Sequence, residues 1–216
     1  MRKLVVTENM TLDGVIDLAA GWFDPLAEDV DQSDINSATT EHRQAADALL
    51  VGRNTFEAFR EFWPKQTDDP TGISDYLNSV NKYVVSGTLD DPGWENTTVL
   101  RGALIEEVQE LKAANGHDIV ATGSIQLVHA LINADLVDEY RLFIYPVVVG
   151  RGARLFDSAG RQIASSARDA AVRFRHRPTA LRNQRGTTSL ASATRERGTA
   201  RRRQRSAMHP EREGSD

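Results

Sequence analysis

Short runs of β-branched and apolar residues alternate along the chain with longer segments of helical character. The apolar runs predict strands at KLVV, ALLVG, KYVVSG, TTVL and DIVATG. The intervening segments predict helices at DINSATTEHRQAA, RNTFEAFREFW, SDYLNSV, ALIEEVQELKAA and IQLVHALINADL. Such alternation of strands and helices predicts an α/β sheet with helices on both faces.

The last apolar run, VDEYRLFIYPVVVG, is long, rich in β-branched residues and partly alternating. This pattern predicts an antiparallel strand added to the sheet. Pro146 within the run cannot donate a ladder hydrogen bond, so it indicates an edge or a bulge at that point.

Charge divides the 216 residues into two parts. Residues 1–160 carry 12 Lys and Arg against 26 Asp and Glu, whereas residues 161–216 carry 14 Arg against 5 acidic residues. We therefore predict one domain over 1–160 and a disordered, Arg-rich tail over 161–216. The acidic body argues against nucleic-acid binding by the domain, because phosphate contacts need a basic surface. An Arg-rich arm that binds nucleic acid or another anion is the alternative role for the tail.

The chain has no cysteine, which excludes disulfides and thiolate metal sites and fits a reducing compartment. No stretch reaches the roughly 18 apolar residues of a membrane span, and the N-terminal apolar run is too short for a signal peptide. We therefore expect a cytoplasmic protein. Because the histidines lack metal-ligand spacing, no metal site is predicted.

The segment LLVGRNTFEAF joins a buried strand to a helix through Gly52 and Arg53. A glycine at this point permits close approach of a ligand, and Asn54 and Glu57 have the spacing of a helix N-cap pair. The N–H groups and positive dipole end of the helix favour a phosphate, and Arg53 adds a positive charge. An ordinary strand-to-helix turn is the alternative.

A similar junction recurs at IVATGSIQLVHAL, where Gly123 and Ser124 separate a buried strand from an apolar helix. Between the two junctions, Ser86 and Thr88 place hydroxyl groups just past the strand KYVV. Three such strand ends in one sheet predict a shared crevice. Neither G-x-G-x-x-G nor a P-loop is present, which argues against an ordinary Rossmann site and against an NTPase.

Four segments, in this order, resemble the dihydrofolate reductase superfamily. They are RKLVVTENMTLDGVID, LLVGRNTFEAFREFWP, NKYVVSGTLDDPGWENTTVL and DIVATGSIQLVHALINADLVDEYRLFIYPVVVGRGARLF. The nearest branch contains single-domain proteins similar to the C-terminal reductase domain of the bifunctional riboflavin-synthesis deaminase/reductase. The resemblance runs from Arg2 to about Asp157 and implies a mixed sheet of about eight strands, flanking helices and often a homodimer.

The resemblance also implies NADPH as the hydride donor. It places the phosphates of NADPH near Gly52, Arg53 and Thr55 and near Gly123, Ser124 and Ile125, with Ser86 and Thr88 toward the adenosine 2′-phosphate. Hydride transfer needs no protein nucleophile, because the cofactor carries the reaction and the protein aligns the reactants.

Asp13 in TLDGVI is the candidate catalytic residue and a substrate-binding residue, because the corresponding loop of the family borders the nicotinamide. Asp-Gly is also the commonest tight-turn pair, so a turn-forming role alone is the alternative. Trp22 is the other candidate substrate-binding residue, with burial in the core as its alternative.

These features predict an NADPH-dependent reductase of a small heterocycle, such as a 5-amino-6-(ribosylamino)uracil-like compound of riboflavin biosynthesis. A catalytically inactive nucleotide-binding protein of the same fold is the alternative. True dihydrofolate reductases grip the pterin with an acidic residue whose surrounding motif is missing here, which disfavours a folate substrate.

The family closes with a strand resembling Arg-Phe-Asp-Ser-Gly-Ile-Ala-Leu, and this strand is missing where it is due. Codons that can encode Ala171 to Pro178, read in a shifted frame, give these same residues. We therefore predict a frameshift between about residues 157 and 171. Loss of the strand would expose the edge of its neighbour.

Overall fold

The computed structural model describes residues 1–23, 33–67 and 69–156. Its strands are β1 (Leu4–Thr11), β2 (Ala46–Gly52), β3 (Asn81–Val85), β4 (Thr97–Leu100), β5 (Asp118–Ala121) and β6 (Glu139–Tyr145). Its α-helices are α1 (Ser33–Gln44), α2 (Arg53–Phe62), α3 (Ile73–Ser79), α4 (Leu104–Ala113) and α5 (Ile125–Asn133). Short 3-10 helices occupy Leu18–Ala20 and Trp63–Lys65. The predicted tail, residues 161–216, lies outside the described residues.

The strands of the described residues form one six-stranded sheet in the order β4-β3-β2-β5-β1-β6. All of its strand pairs are parallel. The α/β class is thus confirmed, whereas the prediction of a mixed sheet with about eight strands is wrong for this part of the chain.

The last strand, β6, was expected to be antiparallel, and this expectation is wrong as well. It pairs in parallel with β1, from Val5 opposite Glu139 to Thr11 opposite Tyr145. The crossover through α5 carries the chain back across the sheet, so β6 runs in the same direction as β5 and lies on the far side of β1. β6 ends directly before Pro146, at an edge of the described sheet.

Helices cover both faces of the sheet, as predicted. Leu50 of β2 packs with Val128 of α5 in one apolar cluster, which we call the α5 face. Its neighbours Leu49 and Val51 pack with Phe56 of α2 in a second cluster, the α2 face. Side chains that follow one another along β2 therefore contribute to opposite faces, as the pleat of a strand requires. None of the helices in the described ranges is both long and apolar enough to cross a membrane.

Candidate functional site

The carboxyl ends of β2 and β5 lie side by side in the sheet. The two strands are neighbours in the sheet, but α2 continues from β2 onto one face and α5 continues from β5 onto the other. Such a divergence is a topological switch point, the position at which open α/β sheets bind ligands. We call this place the switch-point crevice, and Gly52, Thr55, Gly123 and Ser124 line it.

Hydrogen bonds join the two sides of the crevice. The backbone N–H of Gly52 donates to Ser124 Oγ at 2.8 Å, and the backbone N–H of Ser124 donates to Thr55 Oγ1 at 2.9 Å. Gly123 has a left-handed φ of 60°, and a Cβ at this position would lie 3.0 Å from Thr55 Cγ2. The structure thus brings together four of the residues predicted to bind phosphate. Ile125, a fifth, begins α5 and packs at the margin of the α5 face.

The first turns of α2 and α5 are not capped by side chains. Gly52 and Ser124 precede the two helices, and neither supplies a side-chain cap. The predicted N-cap pair of Asn54 and Glu57 is wrong, because α2 already begins at Arg53. The N–H groups of these first turns lack partners within their own helices, so they keep the anion-binding capacity of helix N-termini.

Arg53 reaches from the first turn of α2 toward the loop after β3. Its Nη1 donates to Thr88 Oγ1 at 2.8 Å, and its Nε donates to Glu57 Oε1 at 2.9 Å. Ser86 is buried, and its Oγ accepts the backbone N–H groups of Thr88 and Leu89 at 3.2 and 3.0 Å. Ser86 and Thr88, the residues predicted to lie toward the 2′-phosphate, are therefore close together. Arg53 adds a positive charge beside them.

Asp13 holds two loops together. Its carboxylate accepts hydrogen bonds from Thr11 Oγ1 at 2.7 Å and from the N–H groups of Val149 and Gly150 at 3.2 and 2.8 Å. The hydrogen bond from Thr11 is the largest cause that lowers the pKa of Asp13 to about 2, followed by the N–H of Gly150. A carboxylate of such low pKa is a poor proton donor near neutral pH, and its contacts favour a turn-forming and loop-joining role.

Trp22 belongs to an aromatic cluster beyond the end of β6. Its ring lies 5.6 Å from that of Tyr145 and 5.8 Å from that of Phe23. The Nε1–H of Trp22 donates to the backbone oxygen of Asp17 at 2.8 Å, which fixes the indole. Burial raises the pKa of Tyr145 to about 12, so its hydroxyl is a neutral donor.

Two buried hydroxyl groups on this side of β1 and β6 have no hydrogen-bond partner within the described ranges. They are Thr7 Oγ1 and the hydroxyl of Tyr145. Thr7 precedes Thr11, the register partner of Tyr145, by four residues, so the two side chains point to the same face of the sheet. Buried polar groups normally find a partner, so polar atoms of a bound molecule are a natural complement for them.

Glu8 is a polar residue of the site that the sequence reasoning missed. It lies in the middle of β1, is only 6% exposed, and its Oε1 has no hydrogen-bond partner among the described residues. A signal was available, because an acidic residue interrupts the otherwise β-prone run LVVTENMT. Buried acids are rare unless they are paired.

Two surface cavities lie away from the strand ends. One of about 470 Å³ is bordered by α1 and residues 70–71, and another of about 360 Å³ borders the end of α2. Both are shallow and contain none of the candidate residues. Within the described ranges no cluster of His, Asp and Glu could hold a metal ion. The strand ends therefore remain the place where candidate chemistry converges.

Comparison with known sequences identifies related proteins. The profile of the RibD C-terminal domain matches residues 2–177. Two uncharacterized proteins of Bacillus subtilis (strain 168) are similar to the chain. YyaP is 33% identical over 165 residues, which cover 75% of this chain and 84% of YyaP. YwjB is 28% identical over 155 residues, which cover 72% of this chain and 83% of YwjB.

Solved structures share the fold. A protein of Shewanella sp. PV-4 with a provisional riboflavin-biosynthesis name has a TM-score of 0.53 at 23% identity, covering 74% of this chain and 86% of that protein. A diaminohydroxyphosphoribosylaminopyrimidine deaminase/5-amino-6-(5-phosphoribosylamino)uracil reductase of Thermotoga maritima has a TM-score of 0.50 at 13% identity. The match covers 76% of this chain and 50% of the Thermotoga protein, so the chain spans half of that bifunctional protein.

Proposed function

The chain belongs to the RibD C-terminal domain family, and from this premise we propose that it is an NADPH-dependent reductase of a small heterocyclic substrate. The family membership agrees with the resemblance drawn from the four sequence segments. The observation that carries the proposal is the switch-point crevice, where two uncapped helix N-termini meet at adjacent strand ends. This is the arrangement that binds a dinucleotide diphosphate in open α/β sheets.

The residues of the crevice fit NADPH. The first turns of α2 and α5 would hold the diphosphate, because their N–H groups lack partners within the helices. Arg53, with Thr88 and Ser86 beside it, would hold the 2′-phosphate, since a guanidinium binds phosphate oxygens by charge-assisted hydrogen bonds. NADPH, when bound, supplies a hydride. The protein contributes binding, orientation and exclusion of water.

The aromatic cluster is the substrate end of the proposed site. Trp22 and Tyr145 offer apolar ring surface, and the unpartnered hydroxyls of Thr7 and Tyr145 offer hydrogen bonds to a polar edge. Flat rings with polar edges match both features. A 5-amino-6-(ribosylamino)uracil-like compound of riboflavin biosynthesis is the specific substrate that we propose. We also propose that the protein acts as a homodimer.

A nucleotide-binding protein without turnover is the second candidate. The environment of Asp13 favours it, because a carboxylate with a pKa of about 2 does not supply a proton at neutral pH. An active reductase would have to take its proton from another group or from a bound water. The two candidates share the cofactor and differ only in the chemistry.

A titration with NADPH, followed by a substrate screen, tests both candidates. Arg53→Ala should weaken NADPH binding by about ten- to a hundredfold, the value of a charge-assisted hydrogen bond, and should affect NADH much less. Lys65→Ala removes one positive charge at the other end of the helical segment and should leave both affinities unchanged.

Each result of these measurements has a defined meaning. NADPH binding with oxidation by a pyrimidine or other heterocycle supports the reductase. Tight binding without oxidation by any acceptor favours the inactive binding protein. If the wild-type protein binds neither NADPH nor NADH, both candidates are wrong.

A further inference from the structure

Glu8 is a buried acid whose carboxyl group is only partly satisfied by hydrogen bonds among the described residues. Its side chain is 6% exposed, and Oε1 has no hydrogen-bond partner among the described residues. A buried polar group without a partner destabilises the folded state relative to a satisfied one. An apolar side chain at this position would make the folded protein more stable. The position therefore calls for an explanation outside packing.

The place of Glu8 in the sheet links it to the switch-point crevice. β1 pairs with β5 from Leu4 opposite Ile119 to Val6 opposite Ala121. Extending this register by two residues along each strand brings Glu8 beside Gly123. The backbone N–H of Gly123 is hydrogen-bonded to the Glu8 carboxyl group. Gly123 forms the turn into α5. The unpartnered oxygen therefore belongs to the same crevice as the uncapped first turn of α5.

The protonation state of Glu8 follows from its surroundings. Burial is the larger effect and raises the pKa of Glu8 well above its usual value, whereas the N–H of Gly123 lowers it. Burial favours the neutral acid because the charged form loses its hydration. A neutral carboxyl group can donate a hydrogen bond, which an ionised one cannot. It also avoids the repulsion that a carboxylate would exert on a nearby phosphate.

We propose that Glu8 is a binding residue of the switch-point crevice and that its buried carboxyl group forms a hydrogen bond with an oxygen atom of the bound dinucleotide. The unpartnered oxygen of Glu8 then destabilises the free protein, and this destabilisation is removed when the dinucleotide binds. A residue of this kind trades stability of the free fold for affinity. The inference rests on the proposed function, because it assumes that the crevice takes a dinucleotide.

Replacing Glu8 by two side chains of similar size tests the proposal. Glu8→Met removes the buried polar group, so it should raise the thermal midpoint of the free protein and weaken NADPH binding by about tenfold, the value of one hydrogen bond. Glu8→Gln keeps a neutral donor and should bind NADPH within about twofold of the wild type. Met10→Leu, a near-isosteric change of a buried residue on the same strand, should leave both quantities close to wild type.

The readouts separate binding from a structural role, because the two predict opposite changes in stability. The proposal is overturned if Glu8→Met binds NADPH like the wild type, if it lowers the thermal midpoint, or if Glu8→Gln binds as weakly as Glu8→Met. In each of these cases the wild-type protein still binds NADPH, and the proposed function stands. If the wild type binds no NADPH, the proposed function fails and this inference fails with it.

Discussion

Hydroxyl groups join the two sides of the switch-point crevice. Ser124 Oγ and Thr55 Oγ1 each accept one backbone N–H across the crevice, which fixes the two loops relative to each other. A hydroxyl that accepts a hydrogen bond still has its own hydrogen to donate. These residues can therefore organise the loops of the free protein and still donate to a phosphate.

Asp13→Asn is predicted to weaken the fold at neutral pH without stopping hydride transfer. The folded-state pKa of about 2 lies below the usual 3.8, so the ionised carboxylate stabilises the native state. That stabilisation is present above about pH 4 and is lost as the pH falls through about 2. Denaturant midpoints of wild type and variant, measured from pH 7 downward, should therefore converge toward the acid end.

The matched control for this prediction is Asp90→Asn, because the Asp90 side chain is fully exposed. It should leave the midpoint nearly unchanged across the same pH range. A wild-type-like rate per folded Asp13→Asn molecule would show that Asp13 is not the proton donor. A lost rate in a variant of undiminished stability would restore Asp13 as the catalytic residue.

Single residues differ in how far the sequence reveals them. Gly52, Gly123 and Ser124 were recognisable because a glycine or hydroxyl between a buried strand and a helix is a local pattern. The hydrogen bond between Gly52 and Ser124 could not be predicted from the sequence, because these residues are 72 positions apart and meet only in the folded sheet. Glu8 carried a local signal that was overlooked, but its partnerless burial depends on the strands beside it.

Secondary-structure elements followed closely from local pattern. Each of the predicted strands and helices is present, because apolar runs of strand length alternate with segments of helical character. The direction of β6 did not follow, since side chains alternate between the two faces of a sheet whether a strand pairs in parallel or antiparallel. Its direction depends on the crossover through α5, which is a property of the chain path and not of the strand.

Gly123→Ala is predicted to disturb the junction between β5 and α5. The alanine would have to adopt a φ near 60°, and its Cβ would lie 3.0 Å from Thr55 Cγ2. A left-handed non-glycine residue costs on the order of 1–3 kcal/mol, so the thermal midpoint should fall by several degrees. NADPH affinity should fall as well, because the same turn presents the first turn of α5.

Gly87→Ala is the control for that junction, since Gly87 also follows a strand end of the sheet. Its φ lies outside the left-handed range and a Cβ there would meet nothing within 4 Å. The substitution should be neutral or slightly stabilising, because alanine reduces the freedom of the unfolded chain. Equal losses in the two variants would mean that the Gly123 turn has no special role.

At the scale of the molecule, β6 is the strand whose exposed edge bears on stability and aggregation. Within the described residues it is an edge strand, and an edge presents unpaired N–H and C=O groups that favour aggregation. Tyr140 of β6 packs edge-on against Phe156, which itself is 50% exposed. The predicted frameshift would remove the strand with which the family closes, and β6 is the edge at which we expect that strand to pair.

The nucleotide sequence of the gene gives the first test of the frameshift. Codons from about residue 157 to residue 178 should contain a shifted frame that encodes Arg-Phe-Asp-Ser-Gly-Ile-Ala-Leu. A protein expressed from the restored frame should melt at a higher temperature, by about 2–4 °C for each kcal/mol that the added strand contributes. It should also aggregate less at equal concentration, because a paired edge no longer serves as a template for another chain. If no shifted frame encodes an alternating apolar strand, or if the restored protein melts no higher, the native end of the domain is the one in the present sequence.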